Sequence, residues 1–316
     1  MVQNIEEKLA QIYYSGSDAI ITQVGFKYYA LIAIQADSEI MEFVHMKPFI
    51  KYCGGKTYFL EPIRKILKGL KCEDYTYCEP MVGGGAVYFS ESKRFKTAVI
   101  SDVGGELMTC YRVIRDDIDG LIAELKSGKY KFQNKVKSKA VYNKIRSSTP
   151  KTDVEVAART MYLLKTCFNG LMRKNKKGQF NTPPGSYKNP KICDKDMLKD
   201  VSVFLQGTKI ICMDAIQTIY NMHGQTFLFV DPPYHDESDK EKFREFDGTF
   251  GDDDQEALIE AMIGSGHKFI YTNRNTNLVR KSLAGRAKIK KHALRHSIQP
   301  KYTFKIVEEE IIATNI

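Results

Sequence analysis

Phe227-Leu228-Phe229-Val230-Asp231-Pro232-Pro233-Tyr234 joins four apolar residues to an acid, two prolines and an aromatic ring. A short apolar run stopped by prolines reads as a buried strand that ends in a rigid turn. Similar runs flank it at 75–78, 98–101, 209–212, 268–272 and 306–313. Helical spacing of apolar residues separates several of them, at 59–70, 107–114 and 258–263. Strands alternating with helices predict an α/β fold with a mostly parallel sheet. Between 98–101 and 209–212 lies a long stretch of different character. It has helical spacing at 156–167, then a loop rich in Asn, Gly, Pro and Lys at 169–190. This is read as a helical insert.

Charge singles out the same stretch. The chain has 316 residues and a formal net charge of +10. Residues 121–200 carry 19 Lys/Arg against 6 Asp/Glu, so the remaining residues sum to −3. A basic block of that size is the footprint of a phosphate-binding module. No apolar run approaches the ~18–20 residues that span a bilayer, and the N-terminus lacks the charged-then-apolar order of a secretion signal. The seven Cys form no CxxC pair and the six His are scattered, so neither a disulfide framework nor a metal site is expected. The pattern predicts an intracellular protein. Residues 1–46 show a helical pattern at 5–12 and a strand-like run at 24–34, but no recognisable chemistry.

Three motifs carry chemistry. Glu79-Pro80-Met81-Val82-Gly83-Gly84-Gly85 follows a strand, and its glycines let the backbone turn tightly beside a ligand. It is not the dinucleotide fingerprint, because Tyr88 stands where the third glycine belongs. Asp102, 17 residues past Gly85 at the next strand end, can accept hydrogen bonds from a ribose diol. The pair suggests a nucleoside ligand without a pyrophosphate. Lys51-Tyr52-Cys53-Gly54-Gly55-Lys56-Thr57 invites a P-loop reading, which fails because Ile50 stands where the first glycine belongs. In Asp231–Tyr234 the prolines donate nothing, leaving the turn's carbonyls to accept. Asp231 and the Pro232 carbonyl can take the two hydrogens of an exocyclic amine while Tyr234 stacks on its ring. That grip makes the nitrogen a nucleophile.

In these motifs the chain resembles the DNA adenine-N6 methyltransferases of the Dam type, over most of 47–316. The resemblance implies a Rossmann-like α/β methyltransferase sheet with an inserted helical target-recognition domain. It assigns 47–111 and 201–316 to the catalytic domain, 112–200 to target recognition and 1–46 to an extension of unknown role. It implies S-adenosylmethionine as the cofactor, no metal, and double-stranded DNA as the partner of a monomeric enzyme. Catalysis would rest on Asp231, Pro232, Pro233 and Tyr234. The cofactor would meet Tyr52, Lys56, Glu79, Gly83, Gly85, Asp102, Asp214 and Asp231. DNA would meet Lys51, Phe168, Asn169, Leu171, Arg173, Pro183, Tyr187 and Lys188, and family members with Leu and Arg in these places read GATC. Tyr52 replaces the family's Trp, Met81 its Phe, and Asp102-Val103-Gly104-Gly105 departs from the usual Asp-x-Asn.

Several residues keep a second reading. Asp214 serves equally as a helix N-cap. Arg173, with Lys174, Lys176 and Lys177, suits either guanine or phosphate. A transferase for cytosine N4, RNA or a protein amide could use a similar turn, and a DNA-binding paralogue could keep the fold without catalysis.

Overall fold

A computed structural model describes residues 29–36, 39–131, 135–175, 177–237, 250–295 and 307–316. The pattern at 5–12, the start of the run at 24–34, and Lys176 lie outside the described residues. Strands β1 (Tyr29–Ala36) and β2 (Glu39–Met46) form an antiparallel pair. The main sheet holds β3 (Thr76–Glu79), β4 (Thr97–Asp102), β5 (Thr208–Cys212), β6 (Thr226–Val230), β7 (Lys268–Arg274), β8 (Lys288–Arg295) and β9 (Val307–Thr314). Its order is β5-β4-β3-β6-β7-β9-β8. The first five run parallel, and β9 lies antiparallel between β7 and β8. This is the expected Rossmann-like, mostly parallel sheet.

Side-chain alternation along each strand sends residues to opposite faces, and each face owns a core. Tyr77, Ile100, Phe227, Phe229 and Ile270 pack on one side, and Cys78, Val99, Leu228, Val230 and Phe269 on the other. All five residues of β6 are buried, as a central parallel strand requires. The short helix α1 (Leu60–Leu67) turns Ile63 and Leu67 inward. It is shorter than the 59–70 pattern because a 3₁₀ turn, Thr57–Phe59, takes up its start.

After β3 the chain does not enter a helix directly. The glycine turn occupies 82–87 and only Tyr88–Glu91 (α2) is helical. Gly83 and Gly85 adopt positive φ, which breaks helical progression. Helix α3 (Gly105–Asp116) follows β4 and crosses residue 112 without a break. The insert continues as α4 (Ile118–Lys126), α5 (Lys135–Arg146), α6 (Asp153–Thr166) and α7 (Lys195–Leu205). Leu121, Met161 and Leu198 join the core that covers one sheet face, so the insert is packed onto the sheet through α3. Helices α8 (Ala215–Tyr220), α9 (Asp252–Gly264) and α10 (Asn277–Leu283) complete the chain. Among the described residues no helix is long and apolar enough to cross a membrane.

Candidate active site

Strand order sets the place. From β3 the sheet grows toward β4 and β5 on one side and toward β6 and β7 on the other. Crossovers leaving in opposite directions open a crevice at the carboxyl ends of the strands, where ligands of such sheets bind. Glu79 ends β3, Asp102 ends β4, and Asp231 directly follows β6. Asp214 lies just past β5. The acids singled out from sequence therefore share one edge.

Asp231 is held from both sides. Lys56 Nζ lies 2.8 Å from Oδ2, and Thr272 Oγ1 donates to Oδ1 at 2.6 Å. Burial pushes the Asp231 carboxyl above the usual range, while Lys56 and then Thr272 pull it back. Lys56 also donates to the Gly54 carbonyl at 2.6 Å and sits 4.6 Å from the Tyr234 ring centroid. The ammonium expected at the cofactor is thus bound to the Asp231–Tyr234 turn.

That turn rests on a polar lattice. Gln255 Nε2 donates to the Pro233 carbonyl at 2.6 Å, so this carbonyl is engaged, contrary to the expectation that the turn's carbonyls stay available. Gln255 is itself gripped by Tyr271 and Asn273. His235 donates its backbone N–H to Asn273 at 2.9 Å, and its ring nitrogens meet Thr276 and Asp252. Thr272, Gln255 and Asn273 were not found by sequence reasoning. Their only signal is polar identity within otherwise apolar elements, such as Thr272 and Asn273 in β7.

The glycine turn is locked as firmly. Tyr111 donates its hydroxyl to the Gly83 carbonyl at 2.9 Å. Asp102 accepts from Gly83 N at 3.0 Å through Oδ2 and from Gly104 N at 2.9 Å through Oδ1. Asp102 is only half-buried. Val103 beside it is 54% exposed. Glu79 differs: it is buried and hydrogen-bonded by Tyr77, and burial raises its pKa well above the carboxylate range. Asp214 caps α8, accepting from Ile216 N at 2.9 Å and Gln217 N at 3.2 Å. Its N-cap reading holds. A rim with a half-exposed Asp102, an exposed apolar Val103 and Tyr52 over the glycines suits a ribose diol and an adenine ring. The Asp231 carboxylate adds negative charge for a sulfonium.

One segment links these parts to the insert. The Tyr52 ring lies against Gly83 and Gly84, and a Cβ at Gly84 would fall 2.6 Å from Tyr52 Cβ. Lys51 backs onto the insert, where a Cβ at Gly170 would fall 2.7 Å from the Lys51 carbonyl. Gly84→Ala must therefore displace the Tyr52 backbone, because the clash is with a side-chain root. We expect it to weaken cofactor binding by about tenfold, read by calorimetry, since misplacements of ~1 Å carry costs of that order or larger. Unchanged affinity would remove Tyr52 from the pocket.

In the insert, Phe168–Gly170 forms a 3₁₀ turn with Asn169 at φ 53° and Phe168 50% exposed. Phe168 N donates to the Pro183 carbonyl at 2.9 Å, and Tyr187 hydroxyl to the Cys167 carbonyl at 3.1 Å. Arg173 is exposed, and Asn181 Oδ1 accepts from its Nε at 2.9 Å. Lys51, Pro183 and Lys188 are also exposed, and Leu171 is half-buried. Lys174 turns inward instead, 3.6 Å from Glu106 Oε2. This corrects its grouping with the phosphate-facing lysines.

Residues 52–298 match the family described as D12 class N6 adenine-specific DNA methyltransferase. The Type II methyltransferase M.MjaIII of Methanocaldococcus jannaschii is 42% identical over 229 residues, 69% of this chain and 79% of that protein. The Type II methyltransferase M1.LlaDCHI of Lactococcus lactis is 37% identical over 200 residues, covering 60% of this chain and 66% of that protein. A DNA adenine methylase of Vibrio cholerae is 30% identical over 217 residues, 68% of this chain and 75% of its own length.

Proposed function

The chain belongs to the D12 class of N6 adenine-specific DNA methyltransferases, and from that premise we propose that it methylates a flipped-out adenine in double-stranded GATC, using S-adenosylmethionine. The observation that carries the reading is the Asp231 carboxylate, clamped by Lys56 and Thr272 at the switch point of the sheet. When bound, the cofactor supplies an electrophilic methyl group on a sulfonium. An adenine inside a duplex is out of reach of such a pocket, so it leaves the stack.

Asp231 then accepts a hydrogen bond from one N6–H, which keeps the nitrogen lone pair aimed at the methyl carbon. The Pro232 carbonyl accepts a hydrogen bond from the other, and the Tyr234 ring covers the base. The new C–N bond forms as the methyl–sulfur bond breaks, and N6 then sheds one proton to solvent. Asp102, half-buried at the end of β4, takes the ribose hydroxyls. Gly85 lets the turn close on the cofactor, and Asp214 stands at its adenine end. Glu79, buried at the end of β3, supports the site from the interior. Positioning and preorganised charge supply the rate enhancement. Residues 47–111 and 201–316 do this work in a monomer. Residues 112–200 grip DNA through Lys51 nearby and through Phe168, Asn169, Leu171, Arg173, Pro183, Tyr187 and Lys188.

A tritiated-methyl transfer assay on DNA free of adenine methylation tests the reading, with the modified base identified by mass spectrometry. N6-methyladenine within GATC is expected; methylcytosine or no product would refute it. The pH profile gives a second check. Asp231 must be ionised to present both oxygens as acceptors, one to Thr272 and one to Lys56 and the amine, so the rate falls as pH drops through its raised pKa. Lys56 is the largest influence holding that pKa down. Lys56→Met should therefore move the acid limb of kcat/KM to higher pH. A limb that stays in place would mean another group titrates.

A further inference from the structure

Glu310 lies on β9 with 2% exposure. A carboxylate so buried is costly unless donors occupy its oxygens. In register, β7 faces it with Arg274 and β8 with His292. Arg274 sends Nη1 to Asp236 at 2.8 Å. Glu310 Oε2 instead accepts from two phenols, Tyr234 hydroxyl at 2.8 Å and Tyr58 hydroxyl at 2.9 Å. Burial, with the charges of Glu310 and Asp231 close by, pushes both phenols far above the ordinary tyrosine range, so both remain donors. Tyr234 follows Asp231 in the turn, and Tyr58 stands two residues past the lysine bound to Asp231. The Tyr58 hydroxyl is tied down, yet the residue remains 44% exposed.

We propose that Glu310 is a positioning residue for the target base: through one oxygen it fixes the rings of Tyr234 and Tyr58 at the mouth of the Asp231 pocket, making Tyr58 a second aromatic contact for the entering base. The inference rests on the reading of Asp231–Tyr234 as the base pocket. A tyrosine ring tied at its backbone and at its hydroxyl has little freedom to swing, so its stacking face is set before the base arrives. Glu310 touches neither base nor cofactor in this scheme and acts only through the two hydroxyls.

The test uses the full chain with Glu310→Ala, Glu310→Gln and Tyr58→Phe. Single-turnover methyl transfer, calorimetric S-adenosylmethionine affinity and emission of 2-aminopurine at the target position are measured. Glu310→Ala is expected to slow transfer by about tenfold or more, the scale of a small misplacement, with cofactor affinity unchanged. Emission should rise, because a loosened Tyr234 quenches the stacked base less. Glu310→Gln, which keeps an acceptor, should restore most of the rate. Tyr58→Phe should cost about threefold, as expected for one hydrogen bond. An unchanged rate in Glu310→Ala, a cofactor affinity that falls in step with it, or no recovery in Glu310→Gln would overturn the proposal. A wild-type chain that methylates no adenine would overturn the reading of the whole site, and the control reaction shows this before any variant is compared.

Discussion

Asp231→Asn is expected to lower single-turnover methyl transfer by about 10²–10³-fold, the scale of losing one preorganised electrostatic contact. The substitution keeps the side chain's size, and the amide oxygen can still accept from Thr272. What changes is the second position, where an acceptor becomes an NH₂ donor facing Lys56 and the incoming amine. Two donors cannot hold one another, so the target nitrogen loses its orientation. Lys56, only 5% exposed, also loses its counter-charge. Breaking such a buried pair costs about 3–5 kcal/mol of stability, so rates should be compared well below the unfolding transition. Duplex affinity should stay near wild type, because the proposal gives the phosphate contacts to the insert. Affinity falling together with rate would turn Asp231 into a folding or DNA-binding residue.

Arg173→Ala should cost ~1–3 kcal/mol of affinity on a GATC duplex, and far less once the guanine is replaced. A guanidinium reads guanine O6 and N7 with two parallel hydrogen bonds. Here Asn181 holds Nε at 2.9 Å and leaves the group exposed, which fixes the fork's direction. Lys177 is the comparator, since Lys174 is committed to Glu106. Lys177 is exposed at the turn that follows Asn175, whose side chain accepts from Lys177 N at 2.9 Å. Lys177→Ala should weaken all sequences alike and flatten the log–log salt slope by about one unit. Equal loss on every duplex for Arg173→Ala would mean that Arg173 reads no base, and the GATC assignment would fall with it.

The two predictions draw on different levels of information. Asp231 and Arg173 are visible in the chain itself, because a carboxylate after a buried strand and an arginine in a basic loop are local patterns. The strand runs and most sheet helices are local in the same way. The extent of the insert helices and strand β8 are harder to read, since their apolar spacing is diluted by charge, and the run at 24–34 marks only the first strand of the hairpin at 29–46. The glycine turn is local too, but only the structure shows that Gly83 and Gly85, both at positive φ, postpone the following helix to Tyr88.

Sequence by itself determined the α/β class, the row of acids at strand ends, the Asp231–Tyr234 turn and the basic insert. Each is a property of neighbouring residues, expressed through alternation, turn chemistry or summed charge. Tertiary structure alone decided how those acids are used. Asp214 is drawn into a helix cap, Glu79 is sealed in the interior against the Tyr77 hydroxyl, and Asp102 braces Gly83 and Gly104. It also brought Glu310 to Tyr234 across 76 positions and Thr272 to Asp231 across 41. Such partners follow from the order of strands in the sheet, which places β7 beside β6 and β9 beside β7. That order is set by how whole elements pack and which crossovers the chain can make, so no local run of residues encodes it.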